Sequence, residues 1–360
     1  MDAVAIRRGE TTPTVLDIER PTPGPGEALV RTLRVGVDGT DAEVIAGSHG
    51  GFPEGDDYLV LGHEAVGVVE TAPADSGLEP GDVVVPTVRR QPASGPNDYF
   101  ERGEEDMAPP EACVERGIDG AHGFMSEFFT SPVEKLVPVP DDVAEWGFLV
   151  EPLSVNEKAF DLAETSRSGF DWQPESAFVL GNGSLGLLAL TQLDRRGYER
   201  LYCLGRRDRP DPTIDVAESI GATYVDSRQT PVDAFPDQHE HVDLILEATG
   251  YAKHAFESVA ALAPNGVAAL LGLPESWTFE VDGGRLHKEL VMTNKALVGS
   301  VNANRRHFAA AVDVLESLPE SLLEEIVTGV HDVDDCRAAF AARTDGDREQ
   351  IKTAVQFGEL

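Results

Sequence analysis

The chain has 360 residues, 41% of them hydrophobic; that is ample apolar content for packed cores and too much length for one small core, so two domains are expected. Sixty-four Asp and Glu stand against 29 Lys and Arg, most of them Arg, for a net charge of -35, which excludes nucleic acid as a partner. The excess is spread along the chain, as suits a very salty cytoplasm in which a Debye length of about 3 Å screens self-repulsion. MDAVAIRRGE has no apolar secretory core, no run is long enough to span a bilayer, and Cys113, Cys203 and Cys336 form neither a disulfide framework nor a zinc knuckle. A cytoplasmic location away from membranes is expected.

The first half reads as β-rich. In EALVRTLRVGV, Leu29, Leu33, Val35 and Val37 share one face at period two. Asp38 and Thr40 follow, and His63-Glu64 come soon after, in GHEAVG; the intervening Glu43, Glu54, Asp56 and Asp57 read as solvated acidic surface. EAVGVVE and GDVVVPTV are short β-branched runs bounded by Gly and Pro. From Arg90 to Ala112 the chain is polar, with several Pro and Gly and no clear period, which predicts a long loop.

The pattern changes after about Trp172. SAFVLGNGSLGLLALTQL predicts a strand, a glycine turn and a helix; ERLYCLGRR, VDLILEATG, NGVAALLGLP and HKELVMTNKALVGSVN predict further strands. Strand–helix alternation of this kind means a parallel, doubly wound sheet. HFAAAVDVLESL is a helix and IKTAVQF a closing strand. Cys203, inside LYCLG, reads as core filler.

Gly181-Asn182-Gly183-Ser184-Leu185-Gly186 follows a predicted strand and opens a predicted helix, the context that gives GxGxxG its meaning. Gly181 allows the tight turn, Gly183 the approach of a pyrophosphate, and Gly186 close helix–strand packing, with the helix N-terminus facing the phosphate charge. At the end of the next strand an acidic residue would hold the 2′-hydroxyl of NAD; this chain has Gly205-Arg206-Arg207, which suits the 2′-phosphate of NADP. Nothing there repels a free hydroxyl, so NAD stays open as a secondary cofactor, and two solvated surface arginines remain the alternative. Asp38, His63 and Glu151 are of types that bind Zn²⁺. Spacing alone leaves open a metal site or, equally, an Asp-Gly turn and an unremarkable Glu before Pro.

GHEAVG, GDVVVPT, VLGNGSLG and the domain order resemble the zinc-dependent medium-chain dehydrogenase superfamily. RVGVDGTD, GGFPEG, LVLGHEAVGVV, VVPTVRR, YCLGRRDRPDPT and ATYVDSRQTP resemble, more narrowly, the glucose 1-dehydrogenases of archaea, halophiles in particular, over essentially the full chain. The resemblance implies an α/β protein: a GroES-like β-rich catalytic domain over residues 1–155, completed by 306–360, plus a Rossmann doubly wound parallel-sheet nucleotide domain over 156–305. It implies one catalytic Zn²⁺ held by Asp38, His63 and Glu151, where many relatives have cysteine in place of Asp38. Glu64 approaches the metal or the sugar. Thr40 contacts a substrate hydroxyl and begins a proton relay, or else only caps its turn. The resemblance places Glu115 and Glu151 against the sugar hydroxyls and Asn302 near the sugar and the nicotinamide. Leu271, Gly272, Leu273, Gly299, Ser300, Val301 and Asn302 flank the nicotinamide. The implied reaction oxidises D-glucose at C1 to D-glucono-1,5-lactone and passes a hydride to NADP⁺, in a homodimer or homotetramer. The lobe loop departs from the wider superfamily: it has Gly95-Pro96-Asn97-Asp98 and only Cys113 near its far end, which rules out a four-cysteine structural zinc. A zinc dehydrogenase for another polyol, a zinc-free quinone reductase and a non-catalytic NADP sensor are the rival readings; the complete ligand set argues against the last two.

Overall fold

The computed structural model describes the backbone of residues 1–344 and 350–360, and the side chains up to 341 and from 350 onward. Two units divide the chain: Met1–Ser154 together with Asn302–Leu360, and Val155–Val301.

In the first unit the run Glu27–Val37 becomes the longest strand and the hub of a seven-stranded sheet. On one side it pairs antiparallel with Glu64–Thr71, on the other with Lys352–Gln356 near the chain's end, and Phe128–Pro132 pairs with its beginning. Only Glu27, Arg31 and Arg34 of this strand escape full burial. The expected two-faced alternation therefore gives way to a strand packed on both faces. Val30, Val35, Val37, Leu61, Val66, Val84, Phe124 and Phe148 belong to the surrounding core.

The second unit holds six parallel strands in the order Thr223–Asp226, Arg200–Gly205, Ser176–Leu180, Val242–Glu247, Leu262–Leu270 and Ala296–Gly299. Numbered within the unit this is 3-2-1-4-5-6, and the order reverses beside the first strand, where such sheets bind dinucleotides. Ser176–Leu180 is buried at all five positions. Phe178 stacks on Phe235 with ring centroids 4.2 Å apart, in a core that includes Leu204, Ile245 and Ala268. Cys203 is fully buried, and none of the three cysteines is in a disulfide.

Two expectations need correction. HKELVMTNKALVGSVN is not one strand: its first part lies in the helix Gly283–Met292, capped by Asp282, whose carboxylate accepts from the Arg285 amide at 3.0 Å. Asn294 then takes a left-handed φ of 50° and the strand is confined to Ala296–Gly299. An N-cap and a left-handed Asn overrode the apolar count. The stretch Arg90 to Ala112 is also not without structure: it contains the helix Asp98–Glu101, capped by Asn97, and the short turns Glu105–Met107 and Pro110–Ala112. Phe100, Ala108 and Cys113 give it a small apolar core. Among the described residues no helix is long and apolar enough to cross a membrane.

Candidate active site

The strand Glu27–Val37 passes into the helix Gly39–Ala46 through Asp38, which is extended at φ -131° and caps that helix. Asp38 Oδ1 accepts from the Asp41 amide at 3.1 Å, and Asp41 Oδ2 accepts from the Asp38 amide at 3.0 Å. This reciprocal cap satisfies two donors that a helix end would otherwise leave orphaned. The Thr40 hydroxyl donates to Asp38 Oδ2 at 3.1 Å. With both oxygens engaged, Asp38 is held with Oδ2 3.7 Å from Nε2 of His63.

Sheet register brings in the next groups. Glu64 lies opposite Gly36, and a Cβ at position 36 would collide with the Glu64 carboxylate, so only glycine leaves room there. On its other side the same strand pairs Val37 with Thr353. That places the neighbouring Lys352 so that its ammonium donates to Glu64 Oε2 and, at 3.2 Å, to the Val37 carbonyl. Glu151 enters from the first turn of the helix Val150–Ser166, where Pro152 is tolerated because the first turn's N–H groups have no intrahelical partner. Ligand atoms of His63, Glu64 and Glu151 all lie within 4.8 Å of one another, as do those of Asp38, Asp41 and His63. Asp38, His63 and Glu151 thus belong to two clusters that meet at one imidazole.

Asp41, His63, Glu64 and Glu151 are all buried. Burial pushes the Asp41 carboxyl up to about 7, with His63 opposing and Asp38 and Glu64 reinforcing. Burial likewise pushes Glu151 up to about 8, against His63 and with Glu64 and Asp38. Burial raises Glu64 too, against the pull of Lys352. For His63 burial alone would lower the pKa, but Asp38, Glu151, Asp41 and Glu64 outweigh it and hold the imidazolium up to about 9. His63 Nδ1 and Asp41 Oδ1 are buried with no hydrogen-bond partner. A buried group of carboxylates around one imidazole, short of positive charge and with orphaned polar atoms, fits a divalent cation, and its nitrogen and oxygen donors fit zinc.

The second unit carries a dinucleotide cradle. Gly181 has φ 122°. A Cβ on Gly186 would strike the Gly181 carbonyl, while one on Gly183 would meet nothing. No side chain caps the helix Ser184–Arg195, whose N-cap is Gly183, so a pyrophosphate can approach its N-terminus. Leu185 lies in this helix, and Asn182 Nδ2 donates to Thr213 Oγ1 at 2.5 Å. Arg206 is exposed and has no ion pair among the described residues. Arg207, by contrast, is engaged by Asp211 Oδ2 at 3.2 Å. The two arginines expected to act together are therefore not equivalent. The Leu271 and Gly272 amides donate to the Glu247 carbonyl and the Ser300 amide to the Leu270 carbonyl. The Val301 carbonyl accepts from Lys158 at 2.8 Å. Leu273 and Val301 are exposed apolar side chains near these strand ends, and Ser300 Oγ is buried without a partner.

Back in the first unit, Glu115 pairs with Arg89 at 2.9 Å, and the same oxygen accepts from Asn302 Nδ2 at 3.3 Å. Asn302 has φ 58° and its own Oδ1 accepts from the Ala303 amide. Asp56 keeps a side chain 44% exposed and meets His122 Nε2 at 3.2 Å. Sequence reasoning missed Asp41, Lys352, Arg89 and Lys158. The Asp-x-x-Asp spacing was a usable sign of Asp41; the other three are placed by chain segments distant in sequence and leave no local signal.

Residues 24–141 match the alcohol dehydrogenase GroES-like domain, and residues 144–357 match the glucose dehydrogenase C-terminus. The glucose 1-dehydrogenase of Haloferax mediterranei is 64% identical over the full length of both chains. That of Haloarcula marismortui is 59% identical, again over the full length of both. The solved structure of Haloferax mediterranei glucose dehydrogenase in complex with NADP, Zn and gluconolactone superposes with a TM-score of 0.97 at 63% identity, covering both chains completely.

Two outcomes are expected. At pH 7 the metal-free cluster holds protons, because its carboxyls are raised and its imidazole is protonated. Zinc binding must release them, so zinc affinity rises with pH. Titration calorimetry in buffers of different ionisation enthalpy should register proton release at pH 7; a buffer-independent heat would contradict the protonation pattern. Arg206→Ser should weaken NADP⁺ binding by about tenfold to a hundredfold, the worth of one charge-assisted hydrogen bond, and leave NAD⁺ binding nearly unchanged. Fluorescence titration with both cofactors would check it.

Proposed function

The chain belongs to the glucose dehydrogenase family within the GroES-like zinc-type dehydrogenases, and from that premise we infer that it oxidises D-glucose at C1 to D-glucono-1,5-lactone with NADP⁺ as hydride acceptor. The observation that carries the reading is the buried cluster around His63, in which carboxylates from three separate segments converge on one imidazole. When bound, zinc supplies the Lewis acidity that makes a sugar hydroxyl acidic near neutral pH, and NADP⁺ supplies the site that accepts the hydride.

The chain's own residues do the rest. Asp38, His63 and Glu151 hold the metal. Thr40 locks the Asp38 carboxylate, and as the first member of a proton relay its hydroxyl would take the C1 hydroxyl proton while releasing onward to solvent the proton it shares with Asp38. Glu64, tied to Lys352, keeps negative charge beside the metal without leaving its strand. Glu115, Glu151 and Asn302 read sugar hydroxyls; epimers differ only in hydroxyl direction, so discrimination needs polar groups held in fixed directions. The glycine turn Gly181–Gly186 takes the pyrophosphate and Arg206 the 2′-phosphate, with NAD⁺ as a weaker alternative. The protein acts in a salty cytoplasm as a homodimer or homotetramer.

The test is NADP⁺ reduction with a panel of aldoses and polyols in molar salt, with and without EDTA. Glucose should be oxidised, and thorough zinc removal should abolish turnover. Turnover of polyols but not glucose would overturn the substrate, and turnover that survives metal removal would overturn the mechanism. Asp38→Ala should lose glucose oxidation while still binding NADP⁺.

A further inference from the structure

Arg89 is the only buried arginine among the described residues, and neither the metal site nor the nucleotide site uses it. Its strand, Arg89–Arg90, pairs antiparallel with Val114–Arg116 so that Arg89 stands opposite Glu115. The guanidinium divides its donors. Nε faces the Glu115 carboxylate, Oε1, at 2.9 Å. One terminal nitrogen donates to three backbone carbonyls of the lobe, Glu105 at 3.2 Å, Asp106 at 3.0 Å and Ala108 at 2.8 Å. Lys cannot reproduce this, since its ammonium is a compact point charge without a planar fork.

The lobe is tied back at further points. Asp106 Oδ1 accepts from Asn304 Nδ2 at 2.9 Å, and the Glu105 carboxylate takes Lys135 at 2.8 Å. Two residues before Asn304, Asn302 donates to the same Glu115 oxygen that Arg89 holds. Glu115 therefore has Oε1 fixed from two sides, while its Oε2 accepts no hydrogen bond from the described residues. With a side chain only 17% exposed, the carboxylate has little freedom beyond this pair of anchors.

We propose that Arg89 is the positioning residue of the sugar-reading carboxylate: it fixes Oε1 of Glu115 so that Oε2 is presented in one direction to a substrate hydroxyl, and it couples that direction to the lobe Glu105–Ala108. In a lobe whose sequence lacks the cysteines for a structural metal, the arginine collects the backbone carbonyls and sets the sugar contact with the same group. The proposal rests on Glu115 as a sugar contact. A polar group mis-set by a fraction of its reach costs between about tenfold and a hundredfold in productive binding.

The experiment is a double-mutant cycle on the zinc-loaded holoenzyme in molar salt, with Arg89→Lys, Arg89→Met and Glu115→Gln, alone and combined. It reads KM and kcat for glucose and for its epimers, and NADP⁺ affinity. Arg89→Met and Arg89→Lys should each raise the glucose KM by about tenfold or more with a smaller change in kcat, narrow the gap between glucose and its epimers, and leave NADP⁺ affinity unchanged. In the Glu115→Gln background the Arg89 changes should add little, because both act on one contact. Additive effects, or an Arg89→Lys enzyme with an unaltered glucose KM, would overturn the proposal. If both Arg89 variants lose NADP⁺ binding along with sugar binding, Arg89 is a fold element and the proposal fails as well. If Glu115→Gln alone leaves the glucose KM unchanged, the failure lies instead in Glu115 as a sugar contact.

Discussion

Burying several carboxylates around one imidazole is the constraint on which the first unit is built. Isolated buried charge is costly, and each of these groups answers that cost by shifting its proton affinity: Asp41, Glu64 and Glu151 upward as burial disfavours the anion, His63 upward because the anions around it outweigh its burial. Lys352 supplies a single fixed positive charge. A divalent cation would resolve the remainder, so a geometry that is awkward for a folded chain suits a metal centre.

The rest of the unit can be understood as the means of holding that cluster. The strand Glu27–Val37 is packed on both faces and paired on both edges, so its register is strongly specified. Gly36 admits Glu64, Val37 accepts from Lys352, and Asp38 caps the next helix, all within three consecutive positions. A one-residue slip would turn each of these away at once. The second unit is built by a different route: a parallel sheet whose order reverses beside a glycine turn, an uncapped helix N-terminus, and the exposed Arg206, which has no ion pair among the described residues.

The doubly wound unit was largely legible in the sequence, because continuous apolar strands and a glycine turn in strand–helix context are local signals. The helix Gly283–Met292 was not, since its amphipathic run was read through apolar residues alone while Asp282 and Asn294 set its ends. In the first unit the candidate ligands Asp38, His63 and Glu151 are legible through the family resemblance rather than through spacing, which does not separate them from an acidic background. Asp41 was hidden in that same background although its capping spacing was in plain view. Lys352 and Arg89 were invisible for a physical reason: each meets its partner through strand pairing, Lys352 across 288 positions and Arg89 across 26, and no short window contains both halves.

The central claim is that zinc sits in an oxygen- and nitrogen-lined site at His63, in a chain whose cysteines take no part. X-ray absorption at the zinc K-edge of the purified protein tests this most directly. The account predicts a first shell fitted by nitrogen and oxygen alone at about 2.0–2.2 Å, with an imidazole signature, that disappears in His63→Ala. A sulfur shell at about 2.3 Å, or a spectrum unchanged by His63→Ala, would contradict it.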